Sequence, residues 1–180
     1  MSLDLIVWVS VTLFLVHEFE EIVTIRPWLS RHRDDPRARR QVFWSFRSTS
    51  TSVIAAMIFE EYVIFAAIAF AVVLAGAPAV FAGAMVPYTL HLLGHVVEAI
   101  RLRMHTPSVL SSAITLPWYL YAIVELVRQT QEHAPGAAGL WAVSAWAVVF
   151  TMVMGANFAL IYRLRPALER RLTEHPPAVG

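Results

Sequence analysis

Five apolar stretches, each near the length of a bilayer crossing, set the first constraint on this chain. They run at about 3–25, 51–75, 79–100, 109–127 and 139–162, and a helix needs roughly 20 apolar residues to cross the hydrocarbon. In lipid every backbone N–H and C=O must be satisfied within the segment, so such stretches fold as helices. Hydrophobic residues make up 58% of the chain, against about 45–50% in soluble domains. None of the stretches keeps the continuous polar face that a soluble bundle helix turns to water. The sequence therefore predicts an all-α membrane protein, a bundle of five transmembrane helices. One transmembrane domain is expected over residues 1–165, with a cytoplasmic tail at 166–180.

The breaks between stretches carry the orientation. Fourteen basic residues are present and all are arginine. Seven fall between Arg26 and Arg47, two are Arg101 and Arg103, and four lie between Arg163 and Arg171. Only Arg128 falls on the other side, so the positive-inside rule predicts an outside N-terminus and a cytoplasmic C-terminus. The location this implies is a multi-pass protein of the plasma (inner) membrane. The break at 26–47 predicts a short surface helix, with Trp28, Phe43, Trp44 and Phe46 at headgroup level. The first stretch opens on Asp4 rather than a basic region, which argues against a cleaved signal peptide. Without a basic patch interleaved with exposed aromatics, nucleic acid is not an expected partner. The chain has no cysteine, so any metal would be held by nitrogen and oxygen.

Against this background "VHEFEEIV" at 16–23 is costly, since a charged side chain deep in a membrane helix costs a few kcal/mol. His17, Glu20 and Glu21 share one helix face, and Glu18 points further round. The second stretch carries Glu60 and Glu61. The third carries His91, His95 and Glu98 on a single stripe, with Tyr88 one turn earlier. Counted at 1.5 Å per residue, all of these lie roughly 3–15 Å from the arginine-rich boundary. Singly, each has an ordinary explanation: a membrane histidine bonds a neighbouring helix, and Glu98 has Arg101 one turn away. Together they place a large negative charge where no arginine can neutralise it, and two divalent ions would balance four carboxylates.

Bundle-core dimetal sites use paired glutamates and Glu/His at i, i+3, and His17/Glu20 and His95/Glu98 have that spacing in reverse order. The expected ligands are His17, Glu20, Glu21, Glu60, Glu61, His91, His95 and Glu98, holding two divalent metal ions. Iron is favoured, with zinc or manganese also suited to such donors. Tyr88 or Asn157 would steer a proton or the substrate, and Glu18 would shuttle protons. Ser111, Ser112 and Thr115 are expected to cap or back-bond the fourth helix. Pro87 and Pro117 are expected to kink their helices and open space beside the site. His32, His105, His133 and His175 fall in loops or the tail and are not expected to bind.

"HEFEE" at 17–21, "EE" at 60–61 and "HLLGH" at 91–95 together resemble the family of small membrane proteins named for its HXXEE motif, over about residues 10–165. The resemblance implies that His17, Glu20, Glu21, His91 and His95 form the functional centre, and it supplies no substrate. The favoured expectation is a membrane metalloenzyme doing di-iron oxidative chemistry on a lipophilic substrate from the bilayer. A redox partner and a homo-oligomer are compatible with it. The alternatives are a zinc-type hydrolase of a lipid amide or ester and a metal- or proton-translocating protein.

Overall fold

The computed structural model describes residues 1–173 as five long helices: α1 (Leu3–Arg31), α2 (Thr51–Ala75), α3 (Pro78–Leu102), α4 (Val109–His133) and α5 (Ala137–Thr173). No strand occurs among the described residues. The helices α2, α3, α4 and α5 are each long and apolar enough to cross a membrane. The exception, α1, is 29 residues long but includes Asp4, Glu18, Glu20 and Glu21.

Local chemistry sets several helix ends. The Ser2 and Ser50 hydroxyls accept from Leu5 N and Val53 N, capping α1 and α2. Gly76 ends α2 at φ 61°, where a side chain would be strained, and Pro78 opens α3 at a position that needs no N–H. Several helices outrun the expected spans: α1 reaches residue 31, α4 residue 133 and α5 residue 173. Arginine, glutamine, glutamate and leucine continue a helix well once the chain has left the apolar span.

The central helix is α3, packed against both α4 and α5, while α1 packs against α2 and α4. At the α3–α5 crossing a Cβ on Gly83 would sit 2.8 Å from Ala147 N and overlap Trp146. Only glycine permits this approach, the small-residue device of membrane helix pairs. In the half remote from the arginines, Phe14, Phe65, Phe81, Met85, Tyr119 and Leu126 form the main core. Leu74, Ile100, Val124, Trp141 and Met152 point outward at 69–74% exposure, a surface suited to lipid rather than water.

At the arginine-rich end, residues 32–50 form a strap with two short 3-10 turns, Ala38–Arg40 and Val42–Phe46. Both turns occupy the stretch expected as a surface helix. Trp28, Phe43, Trp44 and Phe46 pack inward in a second apolar cluster. Arg26 donates to Arg47 O at 2.7 Å and Arg165 to Ser45 O at 2.9 Å, tying the strap to α1 and α5. On its outer face Arg37 pairs with Asp35 and holds that carboxyl below its usual range.

Candidate metal centre

Four of the expected ligands meet. His17 and Glu21 come from α1, His91 and His95 from α3, each pair at i, i+4 and so on one helix face. One donor atom from each lies within 4.8 Å of the others. His91 Nε2 is 3.3 Å from His17 Nε2 and 3.0 Å from His95 Nε2. Glu21 Oε1 is 3.6, 3.7 and 3.1 Å from the Nε2 atoms of His17, His91 and His95. Donors about 2.0–2.1 Å from a tetrahedral ion stand about 3.3 Å apart. These five separations bracket that edge length.

His91 Nε2 is within hydrogen-bond reach of both other imidazoles, whereas the Glu21 oxygen is oriented as a metal ligand would be. Glu21 Oε1 is buried and none of its three imidazole neighbours meets hydrogen-bond geometry toward it. His17 Nδ1 lies 3.0 Å from Ser111 Oγ, and that hydroxyl can donate onward to Ser108 O at 3.4 Å. Ser111 then accepts from Nδ1–H, which leaves the Nε2 lone pair of His17 facing the cluster. Ser112 Oγ stands 3.4 Å from the same Nδ1. Phe43 from the strap stacks on His95, centroids 5.5 Å apart at 18°, and fixes that ring from the other side. His17, Glu21 and His95 are buried, whereas the His91 side chain is 36% exposed. The residues present therefore form a His/Glu group that could hold a metal ion.

The other expected ligands are placed differently. Glu20 Oε2 accepts from Ser111 N at 2.7 Å, so it serves the N-terminus of α4, whose own Ser108 gives no side-chain cap. Glu60 Oε2 accepts from Asn157 Nδ2 at 3.0 Å, joining α2 to α5. Glu98 binds the strap, accepting from Gln41 Nε2 at 3.1 Å and Val42 N at 3.0 Å, rather than Arg101. Glu61 and Glu18 line a cavity together with Glu21, His91 and His95. Tyr88 packs edge-on to His17 at 5.9 Å and its buried hydroxyl has no hydrogen-bond partner among the described residues. Thr115 back-bonds to Ser111 O as expected. His32 and His133 bond backbone carbonyls of their own helices, and His175 lies outside the described residues.

That cavity, of about 770 Å³, opens beside the four donors and is walled mainly by apolar side chains, including Phe46, Ile58, Met57 and Phe158. Its size is that of a small-molecule site. Sequence reasoning did not anticipate the strap and α5 as cavity walls, nor Ser111 and Phe43 as supports of the ligands. The partners of these residues are far away in the chain, and no local pattern announces them.

Fold and centre together define an all-helical protein with membrane-length helices gathered around a buried His/Glu group able to take a metal. The chain belongs to the HXXEE family: the family described as "Protein of unknown function with HXXEE motif" matches residues 8–122, which include all four donors and Ser111. No curated protein and no solved structure matches the chain.

Proposed function

We propose that this protein is an integral membrane metalloenzyme acting on a lipophilic substrate that reaches the cavity from the bilayer. One observation carries the reading: four donor atoms stand at the spacing of a metal's coordination shell, and three of them, from Glu21, His91 and His95, line a largely apolar cavity. In this reading α1 also crosses the membrane, with its N-terminus outside. The arginine-rich end then faces the cytoplasm, in the plasma (inner) membrane.

A bound divalent ion would supply Lewis acidity and a low-pKa water. The chain's own residues do the rest. His17, Glu21, His91 and His95 hold the ion, and Ser111 and Phe43 keep two of the imidazoles in place. Glu61 and Glu18, on the same wall but not among the four donors, take and return protons. The apolar cavity walls hold the substrate and limit water. This arrangement suits hydrolysis of a lipid amide or ester with one ion, zinc or a similar metal. A second reading is a dinuclear iron centre doing oxidative chemistry with a redox partner. The proximity of Glu18 and Glu61 to Glu21 favours it, because they could complete a second ion's shell.

The test is to incubate the purified, metal-loaded chain with an extract of membrane lipids and follow the products by mass spectrometry. A metal-dependent product that has gained water supports the hydrolytic reading, and one that has gained oxygen or lost hydrogen supports the oxidative one. Either product should be lost in Glu61→Gln. No metal-dependent change in any lipid would overturn the enzyme reading.

A further inference from the structure

A second, smaller cavity, of about 190 Å³, lies on the other side of the centre, toward the end remote from the arginines. The two cavities share Glu61, His91 and Phe158 in their walls. Along α3 the lining runs from Ala84 and Pro87 in the smaller cavity, through His91, to Gly94 and Arg101 in the larger. From Ala84 to Arg101 the helix rises about 25 Å, comparable with the hydrocarbon thickness of a bilayer. Gly94 borders open space, since a Cβ there would meet nothing within 4 Å.

The two ends differ in chemistry. The far cavity is closed in by Phe14, Phe65, Ile68 and Met154 and contains no charged group beyond the shared Glu61. The near mouth holds Arg101, the one permanent cation on either lining. Glu98, its natural partner one turn away, is taken by Gln41 and Val42, and the Arg101 side chain makes no hydrogen bond or ion pair among the described residues. A guanidinium lining an otherwise apolar cavity is matched by a carboxylate or phosphate at the end of a chain.

We propose that the ligand is a single-chain anionic amphiphile lying through both cavities: its head at Arg101, its middle against His91 and Glu61, its tail beside Met154. This rests on the cavity reading above and adds that the centre meets the chain about 15 Å of helix from the head, since Arg101 follows His91 by ten residues. An acyl chain offers only C–H and C–C bonds there, so this ligand goes with the oxidative reading rather than the hydrolytic one.

Binding of tritiated palmitate to the full chain, purified in a non-ionic detergent, tests this by scintillation proximity. Lysophosphatidate, hexadecanol and decanoate serve as competitors. Palmitate or lysophosphatidate should bind at least tenfold more tightly than hexadecanol, and whichever does so identifies the head as carboxylate or phosphate. Arg101→Gln should remove that tenfold preference. Met154→Trp, which fills the far cavity, should weaken the sixteen-carbon ligand about tenfold and leave decanoate unchanged. Gly94→Phe should block both. Hexadecanol binding as tightly as the anions, or Arg101→Gln leaving their affinity intact, overturns the head assignment. An unchanged chain-length preference in Met154→Trp overturns the through-path. Metal content measured on the same samples separates the two ideas: binding that follows this pattern without metal would sink the metalloenzyme reading and leave the tunnel standing.

Discussion

The two halves of the bundle satisfy their polar atoms in opposite ways. Away from the arginines, hydroxyls bond backbone carbonyls, within a helix or across to the next, and stacked aromatic rings enclose the smaller cavity. Ser10 and Thr89 donate to carbonyls one turn back, and Tyr119 Oη donates to Ser10 O at 2.7 Å. Around them Phe14 and Phe65 stack at 4.9 Å, and Phe65 and Phe81 at 5.6 Å. In the arginine-rich half, carboxylates and imidazoles face one another across helices and a large cavity opens beside them. The first half holds the helices together, and the second spends that rigidity on fixing donor atoms. A translocation pathway would need polar groups continuing through both halves, and the far half presents a packed aromatic core instead.

Substitutions in the two halves should therefore have separable consequences. The largest effect on the metal is expected at the donors: His95→Ala or Glu21→Ala should weaken metal binding at least a hundredfold, about 2.7 kcal/mol or more, as measured by competition with a chelator. Phe81→Ala, in the fully buried core, should cost about 3–5 kcal/mol of stability. The folded fraction should still bind metal with wild-type affinity. Loss of metal binding by folded Phe81→Ala would abolish the distinction between the halves.

Ser111→Ala should weaken metal affinity by about 10–100-fold, because it frees the His17 ring without removing a ligand. Glu20→Gln should cost only about 1 kcal/mol of thermal stability, the worth of a helix-terminal contact, and leave metal affinity intact. If Glu20→Gln stripped the metal instead, the centre would extend to Glu20. His32→Ala and His133→Ala should change neither quantity.

The helices were legible because apolar runs of this length have few alternatives to helix, and the donors because His and Glu are so conspicuous among apolar neighbours. The choice among neighbouring carboxylates was not legible. Glu20 and Glu21 are adjacent and differ by only about 100° around α1, so both fit the same face until α4 arrives and Ser111 N claims one of them. Glu98 was equally ambiguous: Arg101 stands one turn away in sequence, but the strap supplies two donors from 57 and 56 residues upstream. Asn157 reaches Glu60 across 97 residues. Long-range packing decided each case, and helical periodicity carries no information about it.

That His17, Glu21, His91 and His95 hold one ion is tested most directly by metal analysis combined with X-ray absorption on the chain purified without chelator. The expected result is one ion per chain with three nitrogen donors and at least one oxygen donor at about 2.0–2.2 Å, lost in His95→Ala. A folded chain that takes up no metal, or a His95→Ala variant that retains the wild-type content and absorption spectrum, would contradict it.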